Sequence, residues 1–315
     1  DQDAAREFKQ KQRKSTRKLA KMRWQIYLLL AIPVIYVFIF NYLPMAGLVI
    51  AFQDFDYSKG IFGSPFVGLE NFEKFFGAYN FKQILTNTLT ISFYSLMTFP
   101  IPIVFALLLN SIPSKRYGKL IQTVTYIPHF ISTVVMVGLI FQILNFRTGL
   151  YGSLYQMIMK STAPDLLAKG VNFKHIYVWS GVWQSTGYNA IIYIAALSGV
   201  DPSLHEVATI DGASRLQRIR YIDLPAILPT VSIMLILAVG NIMNVGFEKV
   251  LLMQNDLNST YSEIISTYVY RVGLASGVND FSFSTAISMF NSVINFVLLV
   301  TANFISRRTS GSGLF

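Results

Sequence analysis

Glu206 and Asp211 are the first pair to test for chemistry, because two nearby carboxylates can divide general acid and base duty. They stand in EVATIDGASRLQRIRYIDLP, Glu206–Pro225, a polar passage between long apolar runs. A separation of five residues puts them on different faces of a helix, so they do not converge on one reacting atom. His205-Glu206 opens like the zinc motif H-E-x-x-H, but position 209 is threonine and the second ligand is missing. The three histidines, His129, His175 and His205, are far apart, and the chain has no cysteine. Spacing therefore offers no metal cluster, no thiolate site and no disulfide framework. No G-x-x-x-x-G-K-[ST] occurs, so the chain has no P-loop of its own. The expectation is a protein with no catalytic residue, no metal ligand and no covalent chemistry, in which Glu206 caps a helix and Asp211 makes a turn.

The elements around these residues belong to a membrane protein. Of 315 residues, 53% are hydrophobic and only 13% charged, against about 25% charged in soluble domains. Mean hydropathy is +0.47. The net charge of +10 does not point to nucleic acid, since nine of the 26 Lys and Arg residues fall in the first 23 positions. A basic cluster before an apolar span answers to orientation and anionic lipid. That span runs on past Asn41 to Phe52 without a small-residue cleavage pattern, which reads as an uncleaved first span.

A bilayer core of about 30 Å needs roughly 20 apolar helical residues. Six segments meet that need: Trp24–Phe52, Ile84–Ser111, Leu120–Leu144, His175–Val200, Ala226–Leu252 and Phe281–Ser306. The expected fold is all-α and polytopic, with a basic segment 1–23, a six-span domain 24–306 and a tail 307–315. Pro33, Pro44, Pro100, Pro102 and Pro128 fall inside spans, where neighbouring helices tolerate such breaks. With the N-terminus inside, segments 1–23, 112–119, 201–225 and the tail hold 17 Lys and Arg, and the outer loops nine. Both termini are therefore expected in the cytoplasm.

On that topology residues 201–225 form a cytoplasmic loop between spans four and five. Ser203-Leu-His-Glu206 reads as a capping box, preceded by the helix-start signal Asp201-Pro202. Gly212 allows a bend, Ala213–Tyr221 a second short helix, and Pro225 opens the next span. The product is an elbow at the membrane surface, able to pass a partner's movement into the bilayer.

Charge is scarce inside the spans. Glu248 and Lys249 sit near the outer end of span five, and His129 and His175 near ends of spans three and four. The missing mid-membrane carboxylate argues against an ion-coupled secondary transporter, the alternative reading. Neutral polar residues are more plentiful: Trp179, Trp183, Gln184, Tyr188 and Asn189 in span four, Asn241 and Asn244 in span five, Asn291 and Asn295 in span six. Amides and aromatic faces suit the hydroxyls and CH faces of sugars. The same groups also serve as hydrogen bonds between helices. Asn241/Asn244 and Asn291/Asn295 each share one helical face, compatible with a pore lining or a packed seam.

The elbow carries a resemblance. E-V-A-x-x-D-G-A followed by I-x-L-P is similar to the EAA loop in membrane subunits of binding-protein-dependent ABC importers. Glu206, Ala208, Asp211, Gly212, Ala213, Ile222, Leu224 and Pro225 match, while Val207 replaces the usual alanine and Ile219 a common phenylalanine. Phe66-Val-Gly-Leu-Glu-Asn-Phe72 and Tyr126-Ile-Pro-His-Phe130 are similar to carbohydrate permeases of the MalF/MalG type, nearest the LplB-like branch. The resemblance implies a permease of a bacterial inner membrane, moving oligosaccharides or polysaccharide fragments, with alginate the most specific expectation. It further implies a second, non-identical permease subunit, an extracytoplasmic solute-binding protein and two ATPase subunits that bind ATP and Mg. Ser203–Tyr221, with Leu224 and Pro225, would be the coupling segment.

Overall fold

The computed structural model describes residues 24–315 except 276, 278, 312 and 315. The basic segment 1–23, expected as a surface helix or a tail, lies outside the described residues. Two compact units, Asp1–Gly68 and Leu69–Phe315, divide the chain.

In the first unit, helix α1 (Trp24–Val37) runs through a π turn, Phe38–Tyr42, into a 3-10 helix, Leu43–Phe52. The most apolar 18-residue stretch of these 29 residues has a mean hydropathy of 2.2 and no buried residue. A helix that is apolar all round finds its solvent in lipid rather than in water. Beyond it, Gln53 and Phe66 form an isolated antiparallel bridge. The intervening turn is held by Asp56, whose carboxylate accepts the Ser58 amide and hydroxyl at 2.9 and 2.7 Å.

The second unit is a helical assembly. Helix α2 (Glu70–Phe76) precedes α3 (Phe81–Met97) and α4 (Pro100–Asn110), which together make one apolar span broken gently where Pro100 and Pro102 withhold their amide hydrogens. Next come α5 (Lys115–Tyr126), α6 (Thr133–Leu144), α7 (Leu150–Met159) and the 25-residue α8 (Phe173–Leu197). After these stand α9 (Pro202–Ile210), α10 (Arg215–Arg218), α11 (Leu224–Gly240), α12 (Phe247–Met253), α13 (Ile265–Tyr270) and α14 (Phe281–Ser310).

Two expected spans are not continuous. Leu120–Leu144 is bent by 100° between Phe130 and Thr133. Pro128 converts the end of α5 to a 3-10 turn, Ile131 is extended, and Ser132 caps α6 by accepting the Val135 amide. Ala226–Leu252 stops at Gly240: the Asn241 side chain donates to the Leu237 carbonyl at 3.0 Å, closing the helix locally. Residues 247–253 form the separate α12. Among the described residues four helices are long and apolar enough to cross a membrane, or five if the bent pair counts as one span. The more polar α8 is not among them, so length and apolarity alone do not reach the expected six. Among the described residues every named element is a helix, as expected, and the Gln53–Phe66 bridge forms no strand.

Three apolar clusters hold the unit. Ile103, Ala106, Ala190, Tyr193 and Ile227 join α4, α8 and α11. Phe75, Ile84, Met243, Ile265 and Ile287 join α2, α3 and α13 to α14. Met136, Val137 and Ile140 of α6 meet Val245 and Val250. Helix α8 crosses α5 closely at Gly187, where an added Cβ would fall 2.3 Å from the Thr125 carbonyl oxygen.

Candidate functional site

Two features stand out, an exposed elbow and a cavity. Asp201 starts the elbow as N-cap of α9, its carboxylate accepting the Ser203 amide at 2.9 Å, with Pro202 in the first turn. These bonds from Ser203 hold the Asp201 carboxyl below the usual carboxylate range. The expected box between Ser203 and Glu206 does not form: Asp201 has taken the capping position, and Glu206 lies exposed within the helix. The capping box forms instead at the start of the next helix, α10, where Ser214 and Gln217 exchange side-chain and backbone bonds at 2.7 and 3.4 Å. Asp211 ends α9, its amide donating to Val207, in agreement with a turn role. Gly212 has φ +79°, a left-handed conformation that glycine adopts without steric cost, and there the chain bends.

Two side-chain contacts cross the bend. Arg218 Nη1 donates to Thr209 Oγ1 at 2.8 Å, and His205 Nε2 lies 3.1 Å from the Asp223 carboxylate. Asp223 is only 3% exposed. The predicted second helix is not separate from the following span. Arg215–Arg218 passes through a π turn, Ile219–Asp223, directly into α11, so that Arg215–Gly240 is one 26-residue helix. Ile219 and Leu224 pack on the α4–α8–α11 cluster. The outward side of the elbow is apolar: Leu204, Val207 and Leu216 are at least half exposed, and Ile210 is 85% exposed.

The cavity measures about 630 Å³ and is bounded by α3, α8, α11 and residues 242–249. Of the pathway candidates, Gln184, Asn189, Asn241 and Asn244 line it. Gln184 also donates to the Ile131 carbonyl at 3.0 Å, bracing the bend between α5 and α6. Trp183 is outside the lining and half exposed. Tyr188 stacks on His129 at 3.6 Å with the rings 4° from parallel. The Trp179 indole donates to the Tyr94 hydroxyl at 2.8 Å. Asn291 and Asn295 meet span five as a seam: both donate to the Asn244 side-chain oxygen at 3.1 Å, and Asn295 accepts the Met243 amide at 3.0 Å. Asn291 also borders a second groove of about 460 Å³ between α13 and α14.

Sequence reasoning did not place Lys249 or Tyr177 on the cavity. Both line it, and Lys249 Nζ donates to the Tyr177 carbonyl at 2.9 Å. The adjacent charges Glu248-Lys249 before the apolar run Val250–Met253 are the local sign in the sequence.

A helical assembly with several apolar helices of membrane-crossing length, an exposed elbow and a cavity suits a transport component, and the family comparison shows the class. The chain belongs to the binding-protein-dependent transport system inner membrane components, which its residues 75–311 match. It is therefore a multi-pass inner-membrane protein, as the elbow motif implied. It is 39% identical to Protein LplB of Bacillus subtilis (strain 168), over 94% of this chain and 92% of that one. It is also 39% identical to the polygalacturonan/rhamnogalacturonan transport system permease protein YteP of the same organism, over 98% and 95%. Among solved structures it is similar to a chain of a bacterial ABC transporter involved in the import of the acidic polysaccharide alginate, with TM-score 0.84 and 36% identity, covering 93% of this chain and 98% of that one. A bacterial alginate ABC transporter in complex with an alginate pentasaccharide-bound periplasmic protein gives TM-score 0.85 and 36% identity, over 94% and 99%.

Proposed function

We propose that this chain is a membrane-spanning subunit of an ATP-driven importer that carries oligosaccharides or polysaccharide fragments from an extracytoplasmic solute-binding protein into the cytoplasm. Both termini and the elbow face the cytoplasm, in line with the surplus of Lys and Arg in the inner segments. The elbow docks in a cleft of a separate ATPase, which supplies ATP and Mg chemistry, and a second, non-identical permease subunit completes the pathway. Alginate is the specific substrate favoured by the likeness to the alginate importer chains.

One observation carries the coupling assignment. Leu204, Val207, Ile210 and Leu216 project from a segment otherwise built to stay in water, while its inner side is tied to α11 through His205 and Asp223. Exposed apolar residues on a braced frame are what a partner's groove can hold and move. The chain has no cysteine, so Ile210→Cys and Leu216→Cys introduce unique cross-linking points. Either variant should cross-link to an ATPase subunit in membranes and co-purify with it. Capture of no ATPase from either position overturns the coupling role.

A further inference from the structure

Among the described residues lining the 630 Å³ cavity, Lys249 alone carries a formal charge. It is 9% exposed and stands on α12, with Nζ 4.8 Å from the centre of the Tyr177 ring and 2.9 Å from the Tyr177 carbonyl oxygen. The ion pairs found among the described residues involve Lys59, Lys74, His205 and Arg271, so the Lys249 ammonium has no carboxylate within 4.0 Å. Across the gap is Gly181; even a first side-chain carbon there would lie only 3.5 Å from Nζ. The missing side chain leaves the amine open on that side. An ammonium group has three hydrogens to donate, and the Tyr177 carbonyl takes one.

Withdrawing a cation from water without a counter-ion is costly, and one carbonyl with one ring face offsets only part of that cost. An anion entering the cavity supplies the remainder. The rest of the cavity lining is neutral and includes the amides of Gln184, Asn189, Asn241 and Asn244, whose remaining donors and acceptors suit hydroxyl groups. A single fixed positive charge among neutral donors and acceptors matches a polyol that bears a carboxylate. We infer that Lys249 recognises the carboxylate of an acidic sugar in this cavity, so that the pathway favours uronic-acid oligosaccharides over neutral ones. The inference rests on the sugar-import reading above. It locates the selecting charge on α12, outside the apolar spans in which basic residues are scarce.

The test uses the complete importer, reconstituted in proteoliposomes with its solute-binding protein. ATP hydrolysis is measured against a uronate oligosaccharide and against the same oligosaccharide with its carboxyl groups reduced to alcohols. Wild type should respond to the uronate. Lys249→Met should raise the half-saturating uronate concentration roughly tenfold, as loss of one charge-assisted hydrogen bond requires, with the response to the neutral sugar unchanged. Lys249→Arg, which keeps the charge, should stay near wild type. An unchanged uronate response in Lys249→Met, or equal loss for both sugars, overturns the role. A wild type that answers the neutral sugar alone overturns it too, while leaving sugar import standing. A wild type that answers neither removes the sugar-import reading and this inference with it. Equal thermal stability of the three complexes confirms that the comparison concerns recognition and not folding.

Discussion

His205 Nε2 stands 3.1 Å from the carboxylate of Asp223, across a bend that separates them by 18 positions in the chain. One residue belongs to the exposed helix α9, the other to the base of the span that α11 completes. With Arg218 bonded to Thr209 at 2.8 Å, the contact makes the elbow a braced lever instead of a loose loop.

Removing the brace should loosen the lever before it unfolds the protein. His205→Ala leaves a buried carboxylate short of its partner, which costs about 1–3 kcal/mol. The expected outcome is continued ATP hydrolysis with less substrate moved per ATP, read by measuring both rates in the same vesicles. A double-mutant cycle with Asp223→Asn should show coupling between the two positions; additive losses would deny the contact any role.

Gly212 separates conformation from space. An added Cβ there meets no atom within 4 Å, yet φ is +79°. Gly212→Ala should therefore cost about 1 kcal/mol through backbone strain. Gly212→Asn should be milder, because asparagine tolerates this region, and Gly212→Val should be worst. A bulky residue here should uncouple transport from ATP hydrolysis while affinity for the solute-binding protein stays intact. Wild-type uptake by Gly212→Val would end the claim that this bend is mechanically required.

Gly187 poses the opposite problem. Its backbone is ordinary helix, but a Cβ would meet the Thr125 carbonyl oxygen at 2.3 Å, and a carbonyl in a helix cannot step aside. Gly187→Ala should destabilise by about 1–3 kcal/mol through overpacking, seen as a lower thermal midpoint of the purified complex. Gly138, where nothing lies within 4 Å of the added carbon, serves as the tolerant control.

The cap at Asp201 predicts a pH dependence. Its folded carboxyl is held below the usual range, first by the Ser203 backbone amide. Such a group contributes stability above its unfolded pKa, about 3.9, and loses it as pH falls through the lower folded value. Amide exchange in α9 should be slower in wild type than in Asp201→Ala at neutral pH, and the difference should shrink below about pH 4. A pH-independent difference would mean the charged carboxylate is not the source of the cap.

The sequence by itself determined the membrane class, the family and most of the elbow. Those properties live in composition and in short-range chemistry: the Asp201-Pro202 start, the turn at Gly212 and the fixed spacing to Pro225 all act within a few residues. Even there, competition between neighbours escaped it, since Asp201 and Ser203 could each cap α9 and only the backbone path chose Asp201. The polar stripes were legible but their partners were not. Asn244 receives both Asn291 and Asn295 from about fifty residues away, and Asn189 faces the same cavity as Asn241. Nor was the sharp bend before Thr133 readable, because a proline in an apolar run fits a kink as well as a 100° turn until Gln184 is seen holding the Ile131 carbonyl. Lys249 was decided by tertiary structure alone. A lysine near the outer end of a span reads as an interfacial charge, and only the folding of α12 back against Tyr177 of α8 turns it into the cavity. Periodicity reports which face of a helix is polar; what that face meets depends on packing between elements far apart in the chain.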